Sequence, residues 1–262
     1  MNSSAGPPWT LQIGASRITR TDDPTTGLPR YDLTLDVAGP TGHVTGELTF
    51  RATQRAWMVN DNGLLFEEHT DSGHAHWWAV HVPRATVSGS YTIAPPAGQP
   101  LTRTVTEADG YHDHNWGTRR LVDAFQRWTW ARGSAGEQAV VAVTLVPHPL
   151  AGPVDLRVSS LLAVSGPTRG PAITLFNVFP GAPGITPTAA ASGAMPFPQT
   201  IDVGPPAPQP VYRAVFEDRR VALEVPGYQR RVASLTLYGE DRPTPDTGLA
   251  VAETLYPSKL MA

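Results

Sequence analysis

The chain contains no cysteine in 262 residues, which excludes disulfides, thiolate zinc sites, iron–sulfur clusters and a cysteine nucleophile. Lysine is nearly missing as well: Lys259 stands alone among 20 Lys and Arg residues. That bias, with abundant Ala, Gly, Pro and Thr, points to a high-GC bacterial genome. Charged residues make up 16% of the chain, the net charge is −3 and the pI is near 6.2. With no basic field to neutralise phosphates, nucleic acid and anionic membrane surfaces are not expected as partners. No apolar run approaches membrane-spanning length, so membrane insertion is not expected either. The opening segment, MNSSAGPPWT, has neither a basic n-region nor an apolar h-region, and a cytoplasmic location is the expectation. The familiar signatures of chemistry are also missing. There is no Gly-rich phosphate loop, no GxSxG elbow, no kinase signature and no HExxH. Without a cofactor motif, any reaction must be one that shape and acid–base groups can manage, and no cofactor is expected.

Turn formers, by contrast, are plentiful: 27 prolines and 24 glycines argue for many turns and few long helices. The periodicity is that of strands. In 31–37, Tyr31, Leu33, Leu35 and Val37 alternate with Asp32, Thr34 and Asp36, and in 44–52 Leu48, Phe50 and Ala52 alternate with Glu47, Thr49 and Arg51. Gly39-Pro40-Thr41-Gly42 between them reads as a hairpin turn. Further strands are expected in 74–92, 125–131, 138–146, 154–164, 172–179, 211–216, 220–225, 232–238 and 249–255. No window gives an amphipathic helix with caps. About a dozen short strands in a chain of this size mean an all-β sandwich or barrel. Ala94-Pro95-Pro96-Ala97-Gly98-Gln99-Pro100 reads as a linker, dividing the chain into an N-terminal β domain over 1–98 and a C-terminal one over 99–262. The Pro-, Ala- and Gly-rich stretch 180–210 reads as a surface loop or as a lid over a pocket.

The densest chemistry lies in Gly110-Tyr111-His112-Asp113-His114-Asn115-Trp116-Gly117. If this segment is extended, Tyr111, Asp113 and Asn115 share one face, and His112, His114 and Trp116 share the other. A carboxylate between a phenol and an amide can have its proton held or its charge satisfied by hydrogen bonds. In an apolar cavity such an Asp113 would act as an acid; in a loop-fixing role it would be a buried anchor. A second cluster, His74-Ala75-His76-Trp77-Trp78-Ala79-Val80-His81, puts His74, His76 and Trp78 on one strand face and Trp77 and His81 on the other. The two His-x-His pairs, His74/His76 and His112/His114, could give imidazole ligands on common faces. They lack a firm third or fourth ligand, for which Glu67, Glu68 and Asp71 are only candidates, so no metal is expected. Trp128-Thr129-Trp130 places two indoles on one face, either as core packing or as a π-surface for a polyene or a carbocation.

The string GYHDHNWGTRR, followed by WTWAR and preceded by HAHWWAVHVPRATVSG, resembles the carotenoid 1,2-hydratase (hydroxyneurosporene synthase) family and its relatives. These include lipocalin-like Diels–Alderases and other cyclases of natural-product pathways. The supporting pattern runs from about Trp9 to the C-terminus. The resemblance implies two lipocalin-like antiparallel β-barrel or half-barrel domains packed together, with a hydrophobic pocket at or between them.

Three functions follow from these readings. The first is a cofactor-independent cyclase that folds a hydrophobic polyene polyketide or terpenoid for a Diels–Alder-type cyclisation. The second is a hydratase in which protonated Asp113 gives its proton to an isolated alkene of a carotenoid-like polyene, and water captures the cation. The third is a lipocalin-type carrier of hydrophobic ligands, in which the motif is structural. The residues expected to act on the small molecule are Tyr111, His112, Asp113, His114 and Asn115. Those expected to line its binding site are His76, Trp78, Trp116, Trp128 and Trp130.

Overall fold

The computed structural model describes residues 8–60, 62–68, 75–118, 120–147, 154–155, 160–168, 170–176, 185–186, 200–203, 212–239 and 243–257. In chain order the strands are β1 (Trp9–Ile13), β2 (Ser16–Asp22), β3 (Pro29–Gly39), β4 (Gly42–Ala52), β5 (Trp57–Met58), β6 (Leu64–Glu68), β7 (Ala75–Ala94) and β8 (Leu101–Gly117). A one-turn helix, α1 (Leu121–Ala124), precedes β9 (Phe125–Ala135), β10 (Gln138–Pro147), β11 (Val154–Asp155), β12 (Ser160–Ser165) and β13 (Ala172–Phe176). The chain ends in β14 (Ile185–Thr186), β15 (Thr200–Val203), β16 (Tyr212–Val225), β17 (Tyr228–Gly239) and β18 (Asp246–Leu255). The class is therefore all-β, as the periodicity predicts: two antiparallel sheets, one of them a curled half-barrel.

The first sheet runs β1-β2-β3-β4-β7-β6-β11, with β5 and β8 also paired to β7. The second runs β13-β12-β10-β9-β18-β17-β16-β15-β14. Packing groups the chain into two compact units, residues 1–56 with 80–113 and residues 57–79 with 114–262. The division expected near residue 98 falls in the connection between β7 and β8, which are hydrogen-bonded neighbours. Most of 180–210 lies outside the described residues.

In the first unit the hairpin expected at 39–42 closes with Gly39 opposite Gly42. Gly42 has a φ of 130°, and a Cβ there would run into the Ala94 carbonyl oxygen, so the turn needs glycine for both reasons. The core of this unit gathers Tyr31, Ala52, Val82 and Ala85, with Ile18, Leu28 and Phe50 packed against them. Tyr31, Phe50 and Ala52 are apolar members of alternating strands, the arrangement that gathers them on one face of a sheet, and Leu28 comes from the segment just before β3.

In the second unit β10 and β12 read as nearly unbroken apolar runs because both of their faces are buried: Val140, Val141, Ala142, Val143, Leu161, Leu162 and Ala163 are each 2% exposed or less. The strands β17 and β18 alternate instead and bury one face. That face carries the main apolar cluster, in which Phe216, Leu235 and Leu237 supply the bulk and Ala131, Ala142 and Ala252 the small positions.

Candidate functional site

The motif GYHDHNWG lies wholly on β8 and is extended throughout, so the alternation of its side chains holds. The two compact units divide it between Asp113 and His114. Its two halves therefore sit in two clusters.

In the first unit Tyr111 Oη donates to Asp113 Oδ2 at 2.9 Å, and both residues are half-buried. The predicted pairing of phenol and carboxylate on one face is present, with Asp113 as the acceptor. His112, on the other face, packs against His81 with ring centroids 5.3 Å apart and against Tyr31 edge-on, also at 5.3 Å. Tyr31 is 5% exposed, and Trp9 meets it edge-on at 6.1 Å. Burial pushes the Tyr31 phenol up, partly offset by the Arg20 guanidinium beside it. Gly110, which opens the motif, is required by close approach. A Cβ there would stand 2.5 Å from Val87 Cγ2 and 2.8 Å from Phe50 Cδ1.

In the second unit His76 is 5% exposed and lies edge-on to Trp128 at 5.6 Å and to Phe125 at 6.2 Å. Burial pulls its imidazole down to about 4, against a smaller opposing effect of the hydrogen bond it makes to Asn115. Asn115 thus joins His76, while Tyr111 and Asp113 pair with each other. On the other face of the motif His114 tilts onto Trp116 at 5.0 Å, and Trp116 stacks on Trp77 with planes 6° apart at 6.1 Å. Trp78 is fully buried against Trp57, ring centroids 5.7 Å apart. Trp130 shares a face of β9 with Trp128 and stands opposite Val143 of β10 and Glu253 of β18.

Gly117 closes the motif for the same reason that Gly110 opens it: a Cβ would stand 2.8 Å from His76 Nδ1 and 3.1 Å from the Ala75 carbonyl oxygen. Beside it the ends of β7 and β8 are tied, with Thr118 N–H donating to Ala75 O at 3.0 Å and Ala75 N–H donating to Thr118 Oγ1 at 2.9 Å. Alanine at Gly110 or Gly117 is therefore expected to cost about 1–3 kcal/mol through overpacking. Gly170, with nothing within 4 Å of its Cβ position, should tolerate alanine within about 0.5 kcal/mol. Urea unfolding of the three variants measures the contrast.

Among the described residues no group of three or more His, Asp or Glu side chains could hold a metal ion. His74 and Asp71 lie outside the described residues, as do the side chains of Glu67 and Glu68. Sequence reasoning missed Tyr31, Trp57 and Phe125 as members of these clusters. Only the inward phase of Tyr31 in its alternating strand could have pointed to one of them.

Over 104 residues the chain is 30% identical to hydroxyneurosporene dehydrogenase of Chlorobaculum tepidum, a match spanning 39% of this chain and 26% of that relative. The solved structures it resembles include kievitone hydratase from Nectria haematococca, at 14% identity and a TM-score of 0.56 over 92% of this chain and 83% of that one. CghA solved with Sch210972 matches at 12% identity and a TM-score of 0.63, over 94% of this chain and 69% of that one. At these identities the likeness is one of fold. No family model matches the chain.

Proposed function

We propose that the chain is a cofactor-independent cyclase that folds a hydrophobic polyene polyketide or terpenoid for intramolecular, Diels–Alder-type cyclisation. The observation that carries this reading is the Tyr111–Asp113 hydrogen bond. With the carboxylate accepting, the phenol is held in one orientation and Asp113 serves as an anchor, a role that suits a reaction driven by shape. Orienting a flexible substrate can supply roughly 7–11 kcal/mol of the barrier. In the second unit the depressed His76 is neutral at pH 7. A neutral imidazole carries one N–H and one lone pair, enough to polarise a carbonyl without adding a charge. The indole of Trp116, 38% exposed, gives apolar surface for a polyene, whereas Trp78 and Trp128 are buried. That CghA is solved with a small molecule, Sch210972, supports a hydrophobic small-molecule substrate.

The second reading is hydration, favoured by the fold shared with a protein named kievitone hydratase and by the sequence match to hydroxyneurosporene dehydrogenase. Mass spectrometry of metabolites from the source strain, with and without the gene, separates the two. A cyclase leaves an accumulating compound equal in mass to the lost product. A hydratase leaves one lighter by a water, and unchanged pools indicate a carrier. Asp113→Asn provides the residue-level test. Its amide still accepts from Tyr111 and loses only the charge assistance, so cyclisation should fall by no more than about tenfold. If Asp113 were the proton donor, turnover would fall by about 10²–10⁴.

A further inference from the structure

Where β3, β4 and β7 lie side by side, the first sheet separates polar from apolar side chains. On one face Asp32, Thr34 and Asp36 of β3 stand opposite Thr49, Glu47 and Thr45 of β4, and hydroxyls continue these rows on β7. That face satisfies itself in part: Thr49 Oγ1 donates to Asp32 Oδ1 at 2.7 Å. The other face is apolar. Leu33, Leu48 and Gly89 lie in register across the three strands, followed by Leu35, Gly46 and Tyr91 and then by Val37, Val44 and Ile93. Ile18 of β2 and Leu11 of β1 extend the first of these rows.

Burial falls off along this face. At one end Tyr31, Ala52 and Ala85 are buried. In the middle Leu33, Leu35, Leu48 and Tyr91 are half-buried. At the far end Val37 and Ile93 are 53% and 40% exposed, and Leu11, on the β1 margin, is 52% exposed. The middle of the face is thus recessed between exposed margins, as the floor of a trough. Two glycines allow the bend. A Cβ on Gly46 would stand 2.8 Å from Tyr91 Cα, and one on Gly89, whose φ is 136°, would run into the Glu47 carbonyl oxygen. The strands β4 and β7 therefore approach closely here, as they do where a sheet curls. The same glycines leave the middle of the floor bare of side chains. From Tyr31 to Val37 the trough runs about 20 Å. Contiguous apolar surface that stays within reach of water marks a binding surface.

The charge on this face decides what it can hold. Among the described residues of β1 to β4, its only charged side chains are Arg20 and Asp22, which pair with each other at 2.7 Å beside Tyr31. The trough has no free charge for an anionic head and no basic rim for an anionic membrane. A second copy of the chain would present the same recessed surface and could not fill it. We propose that the trough binds the neutral, extended hydrocarbon chain of a small molecule. Its buried end adjoins the motif, because His112 packs on Tyr31. The proposal rests on the cyclase reading only in making that chain the tail of the substrate; the binding itself is tested apart from turnover.

The test is fluorescence titration of the full chain with all-trans-retinol, a neutral polyene alcohol, and with all-trans-retinoic acid, its carboxylate counterpart. Retinol should bind saturably, its emission enhanced by apolar surroundings, and more tightly than retinoic acid by about tenfold, since the trough offers the carboxylate no counter-charge. Leu35→Glu sets a charge in the floor and should weaken retinol by about tenfold or more. Val37→Glu, at an exposed position, should weaken it several-fold and carries the test if Leu35→Glu does not fold. Leu223→Glu, on an exposed stretch of β16 in the second unit, should leave binding unchanged. The proposal is overturned if the unmodified chain binds no retinol saturably, or binds retinoic acid as tightly. It is also overturned if neither trough substitution weakens retinol, or if Leu223→Glu weakens it as much as they do. A chain that binds retinol as expected but yields no cyclised product would sink the cyclase reading and leave the trough standing.

Discussion

Asp218→Asn is expected to destabilise the fold by about 3 kcal/mol, because it leaves the guanidinium of Arg231 buried without its counter-charge. Arg231 is wholly buried and Asp218 is 22% exposed on its side chain, which places the cost at the lower end of the range for broken buried pairs. The directions of the two titrations agree with that picture. Burial pushes the Asp218 carboxyl up and pulls the Arg231 guanidinium down, and their mutual attraction only partly offsets it. The pair is therefore costly to keep charged and costlier to break. Arg231→Met alone should also destabilise, by stranding the carboxylate. The double variant, Asp218→Asn with Arg231→Met, should recover much of the loss, since it removes both desolvation costs at once. Urea denaturation of the three variants closes the cycle. Additive losses in the double variant would mean that the two residues act independently and that the ion pair is not what holds this part of the sheet.

The same residues show how far the fold is legible in the sequence. The strands β3 and β4 can be read directly because their apolar residues alternate with polar ones, with Tyr31 and Ala52 buried on them. The first part of β8 cannot: in 101–109 only Val105 is even partly buried, so no apolar phase marks the segment, and its extension comes from pairing with β7. β1 is hidden for the same reason, with every residue exposed. The motif on β8 announces itself by composition, and its alternation correctly pairs Tyr111 with Asp113 and His114 with Trp116. Its partners are set by register with distant strands, which is why Phe125 and Trp57 carry no local signal and Tyr31 carries only its inward phase. A polar row in the second sheet, Thr144, Thr129 and Thr254 in register across β10, β9 and β18, is harder still. Threonine suits a strand for its β-branched shape alone, so Thr129, Thr144 and Thr254 look like ordinary strand residues until the register aligns them. The glycines at the ends of the motif look like turn signals, yet both sit within a strand and are there because a neighbouring side chain comes too close for a Cβ.

His76 should make the fold acid-sensitive in a defined window. Its imidazole titrates near 4 in the folded chain, against an ordinary value near 6.5 once unfolding exposes it. Below pH 6.5 the unfolded chain therefore takes up a proton that the folded chain refuses until about pH 4. The stability that comes from keeping this ring neutral is complete above 6.5, falls progressively between 6.5 and 4, and is gone below. Linkage puts the total at about 3 kcal/mol. The cause is desolvation: Trp128 and Phe125 pack at steep angles against the imidazole, and Gly117 comes close to Nδ1, so the ring is buried away from water. The check is urea unfolding of the parent and His76→Gln at a series of pH values, in which the other carboxylates and imidazoles cancel in the difference. The stability difference between the two should shrink by about 3 kcal/mol from pH 7 to pH 4, most of it below pH 6.5. Parallel curves would show that His76 does not titrate differently on folding. Proton NMR of the folded parent gives a second readout, in which the His76 ring stays neutral at pH 5.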